Sequence, residues 1–149
     1  VDVLRKLQMK VEYQRHDRSI IWDIFRNRSY SQVIPDFIIS GINSLKRLAI
    51  DAKYKIYDDR KVDPGDIAQI FLYAYAYDHS SQPTAVLIYP TEEKSDRRAS
   101  MVVRQTGQIN GAKIHVLGLS IPEALEEVHE RKIGSSAHLL IDTICPLLS

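Results

Sequence analysis

The chain has 149 residues, of which 44% are hydrophobic and 26% charged, and its formal net charge is +1 at pH 7. This length suits one domain with a real core, and the near-neutral charge excludes a strongly basic protein but not a nuclease, whose metal-binding carboxylates offset its phosphate-binding cations. The first residues lack the apolar core of a signal peptide, and no apolar run approaches the ~18 residues of a membrane span. The single cysteine of this sequence, Cys145, excludes an internal disulfide and fits a cytoplasmic protein.

The first third of the chain predicts strands joined by turns. Residues 9–15 alternate apolar and polar side chains, as half-buried strands do, whereas residues 19–30 fit either a buried strand or a short helix. Residues 33–39 and 45–54 predict two strands around the turn residues 41–44. We therefore expect a β-hairpin here.

A helix is predicted from Pro64 to about Tyr77, because Asp63 can cap its first turn and Pro64 suits its first position. The elements after it alternate between strands and helices. They are a strand over 84–89, a polar loop over 91–100, strands over 101–103 and 113–119, a helix over 123–132 with a capping box at Ser120 and a stop at Gly134, and a helix over 137–144. This order predicts a mixed α/β single domain with a central sheet over residues 1–149. Because the chain does not begin with Met, we expect it to be a C-terminal fragment of a longer protein.

The predicted hairpin brings two acids together. If its turn is centred between Asn43 and Ser44, Asp36 lies opposite Asp51, and cross-strand partners have Cβ atoms ~5 Å apart. Lys53 shares a face with Asp51, because side chains alternate along a strand. Two carboxylates at the edge of an apolar sheet are costly without a partner, and Mg²⁺ is a suitable one because it prefers one or two carboxylates plus water and phosphate oxygens. The pattern therefore favours metal-dependent phosphodiester hydrolysis.

The run Pro35-Asp36, followed after a hairpin by Asp51-Ala52-Lys53, resembles the motif of the PD-(D/E)xK nuclease superfamily. Gln69 and Tyr73 match the Q-x-x-x-Y motif that several of its members carry on the next helix, and their i,i+4 spacing puts both on one helical face. The resemblance implies a restriction-endonuclease-like α/β fold, with a central mixed β-sheet flanked by helices.

Two longer runs are similar to the nuclease domain of McrC and LlaJI-type restriction subunits. They are Ile-Asp-Ala-Lys-Tyr-Lys at residues 50–55 and Asp-Ile-Ala-Gln-Ile-Phe-Leu-Tyr-Ala-Tyr at residues 66–75. The similarity implies a deoxyribonuclease that uses Mg²⁺ or Mn²⁺. The implied metal ligands are Asp36, Asp51 and the Ala52 carbonyl, the implied catalytic lysine is Lys53, and the implied accessory residue is Gln69.

The resemblance also implies partners. They are DNA and a GTP-hydrolysing McrB-like motor subunit, since this sequence has no nucleotide-binding loop of its own. No membrane partner is expected, and a homo-oligomer stays open. The residues that we expect to contact DNA are Lys55, Tyr73, Arg97 and Arg98.

Some expectations stay open at the level of sequence. Many superfamily members carry a further acid on a helix before the first strand, for which Glu12 and Asp23 are the candidates here unless it lies upstream. Tyr54 and Tyr57 suit either base stacking or ordinary strand packing. The alternative functions are a viral or repair nuclease of the same fold, such as an exonuclease or junction resolvase, that works without a GTPase, and a non-catalytic DNA-binding module.

Overall fold

The computed structural model describes residues 8–41, 44, 46–58 and 61–148. In chain order the described elements are β1 (Met9–Tyr13), β2 (Asp17–Asp23), β3 (Arg28–Val33), β4 (Phe37–Gly41), β5 (Arg47–Ala52), α1 (Pro64–Tyr77), β6 (Thr84–Thr91), β7 (Arg97–Arg104), β8 (Gly111–Ser120), α2 (Ile121–Glu130) and α3 (Ser135–Leu148). A six-stranded sheet has the order β1-β4-β5-β6-β8-β7, and β2 and β3 form a separate two-stranded sheet. The mixed α/β class with a central sheet is confirmed.

The central sheet combines an antiparallel half with a parallel core. Strands β1, β4 and β5 are antiparallel neighbours, β5, β6 and β8 run parallel, and β7 returns antiparallel to β8. Helix α1 is the crossover from β5 to β6, as parallel neighbours require. The middle of β6 has no exposed surface at Ala85, Val86 and Leu87, because helices cover both faces of the sheet.

The two faces of the sheet have separate hydrophobic cores. Under α1, Ile70 and Tyr73 pack with Ile38, Ala49 and Leu87. The opposite face packs against α3. Its core residues are Ile39, Leu48, Ile50, Val86, Leu117, Ile144 and Leu148. Asp51 is one position after Ile50, so it faces α1, and this alternation brings the acid to the helix that carries Gln69.

The register of the β4–β5 hairpin agrees with the predicted one. Phe37 pairs with Ile50 and Ser40 pairs with Arg47. Extended by one residue, this register places Asp36 opposite Asp51. Asn43, on which the prediction centred the turn, lies outside the described residues.

Helix α1 has the predicted bounds. The Asp63 side chain accepts a 2.8 Å hydrogen bond from the Gly65 N–H, which caps the first turn. At the other end, Asp78 leaves the helix and its carboxylate accepts the Thr84 N–H at 2.9 Å. The C-terminal end of α1 is thereby joined to the start of β6.

Other bounds differ from the sequence-based expectation. Residues 19–30 form most of the β2–β3 hairpin, and β7 begins at Arg97, inside the expected loop over 91–100. Strand β6 continues through Pro90, because β5 pairs with β6 only as far as Ile88 and a proline beyond that point costs no hydrogen bond on that side.

The last two helices also differ from their expected bounds: α2 is shifted by two residues toward the N-terminus, and α3 is longer at both ends. Helix α2 begins at Ile121 and ends at Glu130, and the left-handed residue that ends it is Arg131 rather than Gly134. Helix α3 continues through Pro146 to Leu148, so the proline stands in its last turn. In the part of the chain that the structure describes, no helix has the length and hydropathy required to span a bilayer.

Candidate active site

Lys53 follows the end of β5 and its ammonium group contacts three side chains. Its Nζ lies 2.7 Å from Asp51 Oδ2 and 3.3 Å from Asp66 Oδ1, and it donates a 2.5 Å hydrogen bond to Gln69 Oε1. The Lys53 side chain is 17% exposed. The structure therefore brings together three of the residues predicted from sequence and adds Asp66, which was not predicted as part of the site.

Asp36, immediately before the neighbouring strand β4, is the second acid of the pair that it forms with Asp51. Its Oδ2 accepts a 2.7 Å hydrogen bond from the Ala52 N–H, and its carbonyl accepts the Gln14 N–H at 2.9 Å. The Asp36 charge is close enough to Asp51 to contribute to the raised pKa of that residue. The two acids thus lie at one end of the sheet, Asp51 on β5 and Asp36 immediately before β4.

Asp51 is the more deeply buried acid, at 5% exposure. Burial raises the pKa of its carboxyl group, and the adjacent Lys53 ammonium only partly opposes that shift. Asp51 Oδ2 is buried and accepts no hydrogen bond from the residues that the structure describes: the Lys53 contact has the distance of an ion pair but not the geometry of a hydrogen bond. A buried carboxylate oxygen in this condition is a suitable ligand for a hard cation.

The donor set fits a cation that keeps part of its hydration shell. Among the residues described, no group of three or more His, Cys, Asp or Glu side chains could hold a metal ion. Two carboxylates and a main-chain carbonyl, with water and phosphate oxygens, are the kind of ligands that Mg²⁺ uses. The set of Asp36, Asp51 and the Ala52 carbonyl is therefore suitable for Mg²⁺ or Mn²⁺ and unsuitable for a structural zinc site.

Gln69 and Tyr73 form a hydrogen-bonded chain behind Lys53. Gln69 Nε2 donates to the Tyr73 hydroxyl at 2.9 Å, and that hydroxyl donates to the Ile34 carbonyl at 3.2 Å. Because its amide group is held in this way, Gln69 presents its oxygen to Lys53. Tyr73 is only 3% exposed, which corrects the expectation that it contacts DNA: a ring inside the core orients Gln69 instead.

Asp66 is the residue that sequence reasoning missed. Its Oδ2 accepts hydrogen bonds from the Tyr57 hydroxyl and from Lys55 Nζ, the latter at 3.2 Å. Burial alone would raise the pKa of Asp66, but these donors and the Lys53 ammonium lower it below its ordinary value. Its position three residues before Gln69, on the same helical face, was the available signal.

Residues 2–90 match the family described as the McrBC 5-methylcytosine restriction system component. These residues are more than half of the chain and include the two acids, Lys53 and Gln69. The chain belongs to this McrBC family. No curated protein matches it.

A solved structure is similar to this McrBC-family chain. It is described as a refined half-complex from the tetradecameric assembly of Thermococcus gammatolerans McrB AAA+ hexamers with bound McrC. The TM-score is 0.50 and the sequence identity is 11%, and the match covers 80% of this chain and 25% of that chain. At this identity the likeness concerns the fold alone, and it agrees with the restriction-endonuclease-like α/β fold predicted from sequence. This chain spans about a quarter of the length of the protein it matches.

The remaining DNA-contact candidates of the McrBC-family chain are not gathered at one place. Lys55 lies beside the site and pairs with Asp66, while its side chain stays 60% exposed. Arg97 is held by Glu93, at 2.5 and 2.8 Å, and by the Asp58 carbonyl, at 2.5 Å. Arg98 is the next residue of β7 and so points to the other face of the sheet. Of the predicted DNA-binding cations, only Lys55 adjoins Lys53.

The two candidates for the upstream acid make their ion pairs elsewhere. Glu12 on β1 pairs with Lys10 and Arg15, and Asp23 on β2 pairs with Arg26 in its own hairpin. Neither pairs with Lys53. In this McrBC-family chain the second acid next to the lysine is Asp66, which comes from the helix after the hairpin.

The two tyrosines after Lys53 have different environments. Tyr54 is fully exposed, and it is the one available for stacking. Tyr57 is buried and packs edge-to-face on Tyr89, with ring centroids 5.5 Å apart. A cavity of about 900 Å³ adjoins Tyr57 and Tyr89 but includes none of Asp36, Asp51, Lys53 and Gln69. The site therefore lies at the sheet end and outside this cavity.

Proposed function

We propose that this chain is the nuclease domain of a McrBC-type restriction subunit and hydrolyses DNA phosphodiester bonds with Mg²⁺ or Mn²⁺. The observation that carries the proposal is the contact of Lys53 with Asp51 and Gln69, beside an Asp36 that the hairpin register sets opposite Asp51. Membership of the McrBC family supports the restriction context.

Asp36, Asp51 and the Ala52 carbonyl are the groups that would hold the metal. The cation, when bound, activates water and stabilises negative charge on the phosphate. Asp51 is suited to this role because its buried Oδ2 has no hydrogen bond and its pKa is raised by burial, so a divalent cation relieves the cost of its charge.

Lys53 provides positive charge rather than a proton acceptor. Burial lowers the pKa of a lysine, but the carboxylates of Asp51 and Asp66 outweigh burial and raise the pKa of Lys53 above its ordinary value. The ammonium is therefore protonated at neutral pH. In this state it stabilises the charge that develops on the phosphate or orients the attacking water, and Gln69 fixes its direction.

A McrB-like, GTP-hydrolysing motor is the proposed partner. The sequence contains no phosphate-binding loop of the G-x-x-x-x-G-K-[ST] type, so translocation along DNA would be the work of another subunit. The similar solved structure is a complex in which McrC is bound to McrB AAA+ hexamers, which supports a search for such a subunit beside this chain.

The proposal is tested by cleavage of plasmid DNA with Mn²⁺ or Mg²⁺, in the presence and absence of a McrB-like partner with GTP. We expect Asp51→Asn and Lys53→Met each to lower the cleavage rate by about 100-fold or more. Asp142→Asn and Lys132→Met are the matched controls, because they make the same charge changes at exposed residues elsewhere in the chain. Wild-type protein that binds DNA but never cuts it, with or without the partner, would show a non-catalytic module.

A further inference from the structure

The Lys53 ammonium contacts the carboxylate oxygen of Asp51 that the proposed metal would need. Its Nζ lies 2.7 Å from Asp51 Oδ2, which is the buried oxygen without a hydrogen bond. An ammonium group and a divalent cation repel each other, and the repulsion is strong where both are shielded from water. Lys53 must therefore move off Asp51 Oδ2 before this buried oxygen can serve as a metal ligand.

A second carboxylate already lies within reach of the same ammonium. Asp66 Oδ1 is 3.3 Å from Lys53 Nζ, and Gln69 Oε1 is 2.5 Å from it on the same helix. A small rotation of the lysine side chain toward α1 keeps its charge paired and hydrogen-bonded. If Asp66 were absent, Lys53 would have no counter-ion among the contacts described above once it had moved away from Asp51.

We propose that Asp66 is a positioning residue: it receives the Lys53 ammonium and so frees Asp51 to bind a divalent cation. This inference rests on the proposed function, because it concerns the same metal site. The two states differ in where one positive charge lies. In the state without metal Lys53 is shared between Asp51 and Asp66, and in the metal-bound state it pairs with Asp66 and Gln69.

The neighbours of Asp66 hold its carboxylate in the position that this role requires. Its Oδ2 is held by the Tyr57 hydroxyl and by Lys55, which leaves Oδ1 directed at Lys53. The residue is in the first turn of α1, after the Asp63 cap, so its backbone is fixed as well. A carboxylate that is anchored through one oxygen holds its other oxygen in a constant position. It therefore loses little conformational entropy when Lys53 moves to it.

Calorimetric titration of the full chain with Mn²⁺, without DNA, measures the effect directly. We expect Lys53→Met to bind Mn²⁺ about three- to tenfold more tightly than the wild type, because no ammonium then competes for Asp51. We expect Asp66→Asn to bind it about tenfold more weakly, the size of one charge-assisted contact. In the Lys53→Met background, the same Asp66→Asn change should weaken binding by less than about threefold, since only the direct attraction of a carboxylate already paired with Lys55 is lost.

Each outcome has one meaning. An equal loss from Asp66→Asn in both backgrounds would show direct attraction of the metal and overturn the inference. So would weaker Mn²⁺ binding by Lys53→Met, a variant that keeps Asp66 and the Tyr57 and Lys55 contacts of its Oδ2 and therefore decides the matter even if Asp66→Asn fails to fold. A wild type that binds no Mn²⁺ overturns the proposed function and the inference with it. Asp142→Asn is the control for loss of an exposed carboxylate.

Discussion

Asp36 Oδ2 accepts a 2.7 Å hydrogen bond from the backbone N–H of Ala52, the residue that follows Asp51 on the neighbouring strand. The bond joins the carboxylate that precedes β4 to the end of β5. One acid of the site is therefore oriented by a neutral backbone donor and the other by the Lys53 ammonium. Both carboxylates have fixed directions before any ligand binds, which lowers the cost of assembling the site.

Substitutions at Asp36 separate the orienting bond from the charge. Asp36→Asn retains an oxygen that can accept from Ala52 N–H, whereas Asp36→Ala loses both the acceptor and the charge. We expect both variants to lose metal-dependent cleavage. We expect Asp36→Ala to be less stable than Asp36→Asn by about 0.5–1 kcal/mol, at the low end for a hydrogen bond because water can reach the exposed Ala52. Urea unfolding and a plasmid cleavage assay check the two parts.

Two results would count against this account of Asp36. Equal stabilities of the two variants would mean that the Ala52 bond contributes nothing to the fold. Cleavage by Asp36→Asn at the wild-type rate would remove Asp36 from the metal site, because an amide is a far weaker ligand than a carboxylate for a hard cation.

Loss of the buried charge at Asp51 should make the protein more stable and inactive. Because burial raises the pKa of Asp51 in the folded state, its ionised form costs stability at pH values above that pKa. We expect Asp51→Asn to raise the free energy of unfolding by about 0.5–2 kcal/mol at pH 7.5 without metal. Lys53 keeps Asp66 and Gln69 as partners in this variant.

The gain in stability that we expect from Asp51→Asn depends on pH. As the pH falls through the range in which Asp51 takes up a proton, the wild type loses its charge cost and the difference between the two proteins shrinks. Urea unfolding of both proteins at pH 7.5 and at pH 4.5 measures this difference in stability. A variant that is less stable than the wild type at pH 7.5 would show that the Asp51–Lys53 attraction exceeds the cost of burial.

The hairpin register and the central helix could be predicted from sequence because local rules determine them. A turn fixes which residues face each other across a hairpin, so the distance of Asp36 and Asp51 from the turn was sufficient. Asp63 and Pro64 determine where α1 begins. The i,i+4 spacing of Gln69 and Tyr73 gave their common helical face.

The features that were missed depend on contacts between distant segments. The run Ile20-Ile21-Trp22 has no helical or strand periodicity, so only its pairing with β3 decides that it is a strand. Asp66 had a sufficient local explanation as an acid in the first turn of a helix, and its contacts with Lys53 and Tyr57 depend on the path of the chain between β5 and α1. The burial of Tyr73 follows from the sheet beneath it, which spacing alone does not reveal.

Removal of the Tyr73 hydroxyl should weaken catalysis without weakening DNA binding. Tyr73→Phe leaves Gln69 Nε2 and the Ile34 carbonyl without their shared partner. We expect kcat for cleavage to fall about 10-fold, as for a group that orients a site residue. We expect the free energy of unfolding to fall by about 0.5–1.5 kcal/mol. KM for DNA should stay within about twofold, because Tyr73 is buried and its loss changes the chemical step.

The matched control for Tyr73 is on the same helix. Tyr75 is 70% exposed, and Tyr75→Phe removes an identical hydroxyl without touching the Gln69 chain. Cleavage kinetics of both variants over a range of DNA concentrations separate kcat from KM. A rise in KM for Tyr73→Phe with kcat unchanged would restore the original expectation that Tyr73 contacts DNA.

His115 should make the fold sensitive to acid. It is 3% exposed on β8, its Nδ1 lies 2.9 Å from Ser100 Oγ, and its buried Nε2 has no hydrogen bond to a described residue. Burial, together with Lys113 and Arg98, lowers the pKa of His115 below its ordinary value of 6.5. In the unfolded chain the ring takes up a proton near pH 6.5, but in the folded chain it does so only at lower pH. Stability is therefore complete above pH 6.5 and declines as the pH falls below it.

Substitution of His115 isolates its contribution to the loss of stability at low pH. A single such group lowers the free energy of unfolding by at most about 1.4 kcal/mol per pH unit. We expect His115→Leu to remove that slope, so that the difference in stability between wild type and variant changes between pH 7.5 and pH 5. His129→Gln, on the exposed surface of α2, is the control for loss of an exposed histidine. Urea unfolding in pH steps gives the curves, and parallel curves for wild type and His115→Leu would mean that the folded state protonates His115 as easily as the unfolded one.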